Sequence, residues 1–204
     1  MRTALLAFAT LSLAAQMPVQ PAFTEAFFNG DRRAILEACA DRTHTLKPKD
    51  AKYLAECGRA YLAAMDRPKA EAVFKEAEQR ESGDGQVLRL IAQAWLKNGY
   101  KTEALDEYEK ILARDPKNKE ALTSAAVDLA EVGLATEAER YMNALATLEK
   151  DDWQRFLLFG RALLVAGRRK QAAPWFARAV AIKPDEEKVF LEISRAFAES
   201  ESVM

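Results

Sequence analysis

The sequence predicts an all-α solenoid of antiparallel helix pairs, and three observations carry that expectation. Strings of the form Gly-x-x-x-x-Ala begin at Gly99, Gly133 and Gly167, 34 residues apart, and Tyr108, Met142 and Phe176 follow four residues after each alanine. Small residues recur at the same interval at Gly58, Ala92, Ala126 and Gly160, with Tyr61, Trp95, Leu129 and Leu163 three positions on. Pro116 and Pro184 fall in phase with both series. A unit of this length cannot bury its own apolar face and does so by stacking on neighbours.

The elements follow in order. Residues 1–15 hold one positive charge at Arg2 and an apolar run broken only by Thr10 and Ser12, ahead of the small-residue string Ser12-Leu13-Ala14. This reads as a secretory signal peptide, too short for a membrane span, with a short buried or membrane-surface helix as the alternative. Residues 16–21 form an extended lead-in, because neither Pro18 nor Pro21 suits a helix interior. Residues 22–50 give a degenerate N-terminal helix pair: helix over 22–28, a turn at Asn29-Gly30-Asp31, then helix over 32–43 with Ile35, Leu36, Ala38 and Cys39 on its apolar side.

Four repeats occupy 51–84, 85–118, 119–152 and 153–186. In the first helix of each unit, Gly58, Ala92, Ala126 or Gly160 lets a second helix approach closely. Ala70, Ala104, Ala138 and Ala172 give the matching small surface on the second helix. The glycines at 99, 133 and 167 sit where a helix must end in a left-handed conformation. Met65-Asp66 stands in that place in the first unit. Residues 187–204 make a capping helix, carrying Phe190, Ile193, Ser194 and Phe197 on one side and Glu187, Lys188, Glu192, Arg195 and Glu199 on the rest.

The formal net charge of −1, with both signs mixed along every helix, points to neither nucleic acid nor an anionic membrane as partner. After residue 15 nothing approaches the apolar length of a membrane span. Catalytic chemistry has little to stand on. The lone histidine, His44, reads as an exposed or capping residue near a helix C-terminus, and it cannot build a metal cluster alone. The glycines fall at turns and crossings, not in a phosphate-binding loop. We expect no catalytic residues, no metal and no cofactor. The two cysteines, Cys39 and Cys57, are either buried thiols or, in an exported protein, a disulfide stapling the weak first pair to the array.

This pattern resembles the tetratricopeptide repeat family over residues 51–200, with units 85–118 and 153–186 matching best. The third unit departs from it with Lys150, Met142 and Leu145 where Pro, an aromatic and Ala are usual. The resemblance implies a right-handed superhelix whose inner wall is lined by the first helix of each repeat. It places Lys52 and Arg59, then Arg89, Leu90, Gln93 and Lys97, then Leu157, Leu158, Arg161 and Leu164, and finally Arg195 on that wall. Such a groove suits a peptide with hydrophobic and acidic side chains, unless the arginines merely pair with neighbouring glutamates. The Lys and Asn that some members use to clamp chaperone C-termini are absent: Ala55 and Arg59, or Arg89 and Gln93, hold those positions.

The expectation is an exported, periplasmic or secreted bacterial adaptor that binds a protein or peptide partner. The alternatives are a self-associating structural module (a homo-oligomer) and, further off, an enzyme or enzyme subunit on a repeat scaffold.

Overall fold

A computed structural model describes residues 22–80 and 85–201. The expected signal peptide and lead-in lie outside the described residues. Every regular element within them is helical. A single turn, α1 (Glu25–Phe28), is capped by the Thr24 hydroxyl, which accepts from the Phe27 amide. It begins three residues later than the sequence suggests. The helix α2 (Arg32–Leu46) starts on Asp31, whose carboxylate accepts from the amides of Arg33 and Ala34. It runs past the expected end at Thr43 and stops at Lys47, which leaves the helical region ahead of Pro48.

Four hairpins follow: α3 (Ala51–Ala63) with α4 (Arg67–Gln79), α5 (Gln86–Lys97) with α6 (Lys101–Arg114), α7 (Lys119–Glu131) with α8 (Ala135–Leu148), and α9 (Trp153–Val165) with α10 (Arg169–Ile182). The closing helix is α11 (Glu187–Glu201). Carboxylate and amide caps at Asp50, Asn118 and Asp152 begin α3, α7 and α9. The second helices α6, α8 and α10 have no side-chain cap and leave directly from a left-handed glycine, with φ of 83° at Gly99, 81° at Gly133 and 74° at Gly167. In the first unit Met65 takes that conformation, φ 63°, with its side chain 79% exposed. A side chain there costs about 1–2 kcal/mol, and α4 starts nonetheless because Asp66 caps it on the Lys69 amide.

The core is one continuous strip from Ala40 to Ala196. The small positions behave as the register requires. A Cβ built on Gly58 would lie 2.2 Å from Phe74 Cε1, and one on Gly160 would lie 2.7 Å from Phe176 Cε1. The first and fourth hairpins are therefore each closed by an aromatic ring laid on a glycine. Consecutive first helices pack on one another (α3 on α5, α7 on α9, α9 on α11), whereas consecutive second helices meet little. The array therefore curves, with α3, α5, α7, α9 and α11 on its inner side. Long polar side chains bridge the open outer side: Arg67 to Glu103 at 2.7 Å, Lys110 to Glu78 at 3.0 Å, and Arg140 to Glu109.

Several expectations need correcting. The bridge between Cys39 and Cys57 is not formed; both are free thiols. Ala40, not Cys39, faces the neighbouring helix, and the Cys57 thiol donates to the Ala40 carbonyl at 3.4 Å. Burial pushes the Cys57 thiol up to about 11. That keeps it protonated and inert at neutral pH. On α2 the side chains of Ile35, Leu36 and Cys39 are only half-buried, because the single turn α1 is too short to cover them. His44 stands in the last turn of α2, and its Nε2 also lies 3.1 Å from Glu76 on α4. At the far end Val189 and Ala196 are buried and Phe190 is 48% exposed. Its counterparts Leu54, Leu88, Leu122 and Phe156 are buried to 2% or less, each under the second helix of its own repeat. Among the described residues α11 has no such second helix.

Candidate binding surface

The inner wall divides into two halves of different character. Toward the N-terminus it is polar. Lys52, Arg59, Arg89 and Lys97 are exposed, Leu90 and Gln93 half-buried. Arg59 pairs with Glu56, one turn before it. Arg89 Nε lies 3.9 Å from Asp128 Oδ2, at the limit of an ion pair. Toward the C-terminus the wall is apolar. Leu157 and Leu164, expected as footholds, are core residues at 6% and 4% exposure. Leu158 and Val165 carry the exposed apolar surface there, at 44% and 38%. The helical phase explains the exchange: Leu157 faces back between the inner helices, and its neighbour Leu158 points out into the groove. Arg161 pairs with Glu199 across α9 and α11 at 2.8 Å, and Arg195 with Glu192 at 2.9 Å. Both ends of the first pair are about half exposed, so it contributes on the order of 0–1 kcal/mol and is easily exchanged.

Hollows lie between the inner helices. One of about 200 Å³ sits between α9 and α11, lined by Trp153, Leu157, Leu158, Arg161, Lys188 and Glu192, among others. A second, about 410 Å³, sits between α7 and α9 against Val127, Glu131, Leu158, Arg161, Ala162 and Val165. Partial desolvation and the nearby Asp128 hold the Glu131 carboxyl above its ordinary value. A third, about 300 Å³, opens between α5 and α7, where Gln86, Arg89, Asn118, Glu120 and Ser124 give it a polar lining.

This third hollow marks a break in the array. The helices α5 and α7 lie against each other far less closely than α3 and α5 or α7 and α9. The cause is Asp128. The equivalent residues in the other inner helices are Ala60, Ala94, Ala162 and Ala196, which allow close approach. A carboxylate at this seam needs room and donors. Gln93 Nε2 donates to both of its oxygens at 3.2 and 3.0 Å, and Tyr108 Oη donates to Oδ2 at 2.6 Å. Burial pushes the Tyr108 hydroxyl well above its usual range, so it remains a donor at any working pH.

A second polar group has entered an apolar column on the outer side. Glu107 occupies the place that Val73, Tyr141 and Trp175 hold in the other repeats, and all four side chains are buried. Most charges of the helices are exposed, but the structure buries Glu107 to 5% exposure. Its Oε1 accepts from Lys110 Nζ at 2.9 Å, while Oε2 is buried without a hydrogen-bond partner. Burial raises the Glu107 carboxyl to about 7; Lys110 opposes the shift and Glu78 adds to it. Both this group and Asp128 were detectable in the sequence as the one charged residue in a column of otherwise apolar repeat positions.

Among the described residues no helix is long and apolar enough to cross a membrane, and no group of three or more His, Cys, Asp or Glu side chains could hold a metal ion. Comparison with known proteins finds partial matches. A sequence model of the tetratricopeptide repeat family matches residues 57–119. The human protein O-mannosyl-transferase TMTC1 is 24% identical over 140 residues, which is 69% of this chain and 16% of that protein. The chain thus spans only a small part of that relative. Two solved structures overlap it broadly at low similarity. One is YrrB, described as a tetratricopeptide repeat protein with an unusual peptide-binding site (19% identity, TM-score 0.45, covering 83% of this chain and 86% of that one). The other is MamA (15% identity, TM-score 0.46, covering 79% and 94%). Residues 57–119 thus match tetratricopeptide repeats, and the same 34-residue register of small and large residues runs on through 186.

Proposed function

We propose that this protein is an exported adaptor that holds a segment of another protein against the inner wall of its solenoid, acting by binding and not by catalysis. The observation that carries the reading is the wall itself. Exposed Leu158 and Val165 stand among hollows of about 200 to 410 Å³, beside cations held only by weak, half-exposed ion pairs. Polar rim, apolar floor and exchangeable charge are the parts of a peptide-binding groove. Export is proposed from the leader-like residues 1–15. N-terminal sequencing of protein recovered from the envelope fraction is expected to begin near residue 16; an intact Met1 would overturn it.

Reversal of Arg89 and Arg161 to Glu tests the groove. Both side chains are 48% exposed, so folding should shift by about 0.5 kcal/mol or less. Recovery of crosslinked partner from the envelope fraction should fall, more steeply at low salt where charge is unscreened. The matched control reverses Lys75 and Lys170, exposed cations on the second helices α4 and α10. Loss of partner in the control with retention in the groove variant would put the binding face on the outer side.

A further inference from the structure

The junction between the second and third repeats is open on both faces. On the inner side the hollow of about 300 Å³ lies between α5 and α7. On the outer side another, of about 370 Å³, lies between α6 and α8 against Leu112, Ala113, Pro116, Leu122 and Ala144, among others. Between the two hollows the chain passes from α6 to α7 through a tight turn, in which the Asn118 amide donates to the Asp115 carbonyl at 3.1 Å. Where α7 carries Asp128, the inner helices α5, α9 and α11 carry the buried alanines Ala94, Ala162 and Ala196. Close apolar packing of that kind is stiff, because a gap of about 0.5–1 Å already forfeits a quarter to a half of each contact's attraction. The ties across the open junction are polar instead. On the inner side Asp128 of α7 accepts from Gln93 on α5 and from Tyr108 on α6. On the outer side Glu109 of α6 accepts from the Tyr141 hydroxyl of α8 at 2.9 Å and pairs with Arg140. That outer ion pair is more than half exposed at both ends, so water replaces it at little cost.

We propose that this junction is a hinge. The half from α2 to α6 and the half from α7 to α11 turn as two bodies about the turn at Asp115 to Asn118, one hollow widening as the other narrows. Asp128 sets the range of the motion in two ways. It is the spacer that keeps α5 and α7 apart, and it is the acceptor through which Gln93 and Tyr108 hold the halves in register. The curvature of the inner wall is thereby adjustable at one point along its length. Arg89 and Arg161 stand on opposite sides of that point, so their separation changes with it, while groups within either half keep their distances. The hinge goes beyond the reading of the wall as a binding face and does not depend on what binds there.

Distances between pairs of spin labels, measured by double electron–electron resonance, test the hinge. The background is Cys39→Ser; the buried Cys57 thiol, pushed up to about 11, stays unlabelled at neutral pH. One pair, Lys75→Cys with Thr136→Cys, brackets the open junction. The control pair, Thr136→Cys with Ser194→Cys, spans the same number of junctions within the C-terminal half. All three positions are exposed. The bracketing pair is expected to give a distance distribution about twice as wide as the control. Asp128→Ala should narrow it to the control width by letting α5 and α7 close. Gln93→Ala, which keeps the spacer and removes a tie, should widen it, and neither variant should move the control pair. Equal widths for the two pairs would overturn the hinge. A bracketing distribution that a folded Asp128→Ala leaves as wide as before would overturn it too. The comparison of the two pairs needs no change at the hinge itself, so it decides the matter even where Asp128→Ala unfolds.

Discussion

Gly58→Leu is expected to destabilise the solenoid by about 3 kcal/mol, the upper end of what overpacking costs. The first carbon of the new side chain would stand 2.2 Å from Phe74 Cε1 and 2.5 Å from Cδ1. Phe74 is itself buried, so its ring cannot swing out into water to make room. The Ala variant sharpens the test because two effects oppose. Ala is the better helix former by about 1 kcal/mol, and overpacking costs about 1–3 kcal/mol. Gly58→Ala should therefore still lose stability, by roughly 1 kcal/mol, where helix propensity alone predicts a gain. Pairing it with Phe74→Leu should recover part of the loss, since the shorter side chain vacates the space above residue 58. Urea unfolding of the two single variants and the double variant reads this directly. A stabilised Gly58→Ala would show that the ring yields and the crossing is not tight.

Glu107→Gln should stabilise the protein by roughly 3 kcal/mol at pH 8 and hardly at all at pH 4. The Glu107 carboxyl sits at about 7 in the folded chain against an ordinary 4.5. The folded state thus holds a proton there over the interval in which the unfolded chain has released it. Stability from this group is fully present below about pH 4.5 and is lost as the pH rises through 7. The amide keeps the shape and the contact with Lys110 but carries no charge to bury. Groups facing this carboxyl are Glu78 from α4 and Lys110 and Asp106 from its own helix, and Lys110 still has Glu78 in the variant. The measurement is denaturant unfolding of both proteins across pH 4 to 8. A difference that does not change with pH would mean the carboxyl is not buried as described.

The repeat frame was legible because packing imposes it at fixed intervals. Unit starts at 51, 119, 153 and 187 coincide with the first residues of α3, α7, α9 and α11, and α5 begins one residue after its expected start at Gly85. The left-handed turns follow from the glycines, and only Met65 departs from that code. The groove was harder to read. Position within a repeat says which helix faces inward, yet a single 100° step separates Leu157 in the core from Leu158 on the surface. Pairing depends on long side chains from other helices, so Arg161 with Glu199 or Arg89 near Asp128 could not be read from spacing. The cysteines show the limit again: a pair of cysteines in a chain expected to be exported suggested a bond, and one residue of helical phase put Ala40 where Cys39 would have had to be.

Asp128 ties together two parts of the molecule that usually change separately in sequence. Its carboxylate faces Gln93 and Arg89 on the wall and Tyr108 in the interior. A phenylalanine at 108 would fill the same interior volume yet release an acceptor toward Arg89, lowering the positive charge that the wall presents. An alanine at 128 would let α5 and α7 close together and erase the polar hollow between them. The charge and shape of the inner wall are therefore inherited partly through interior residues, and drift in the interior alters the surface as well.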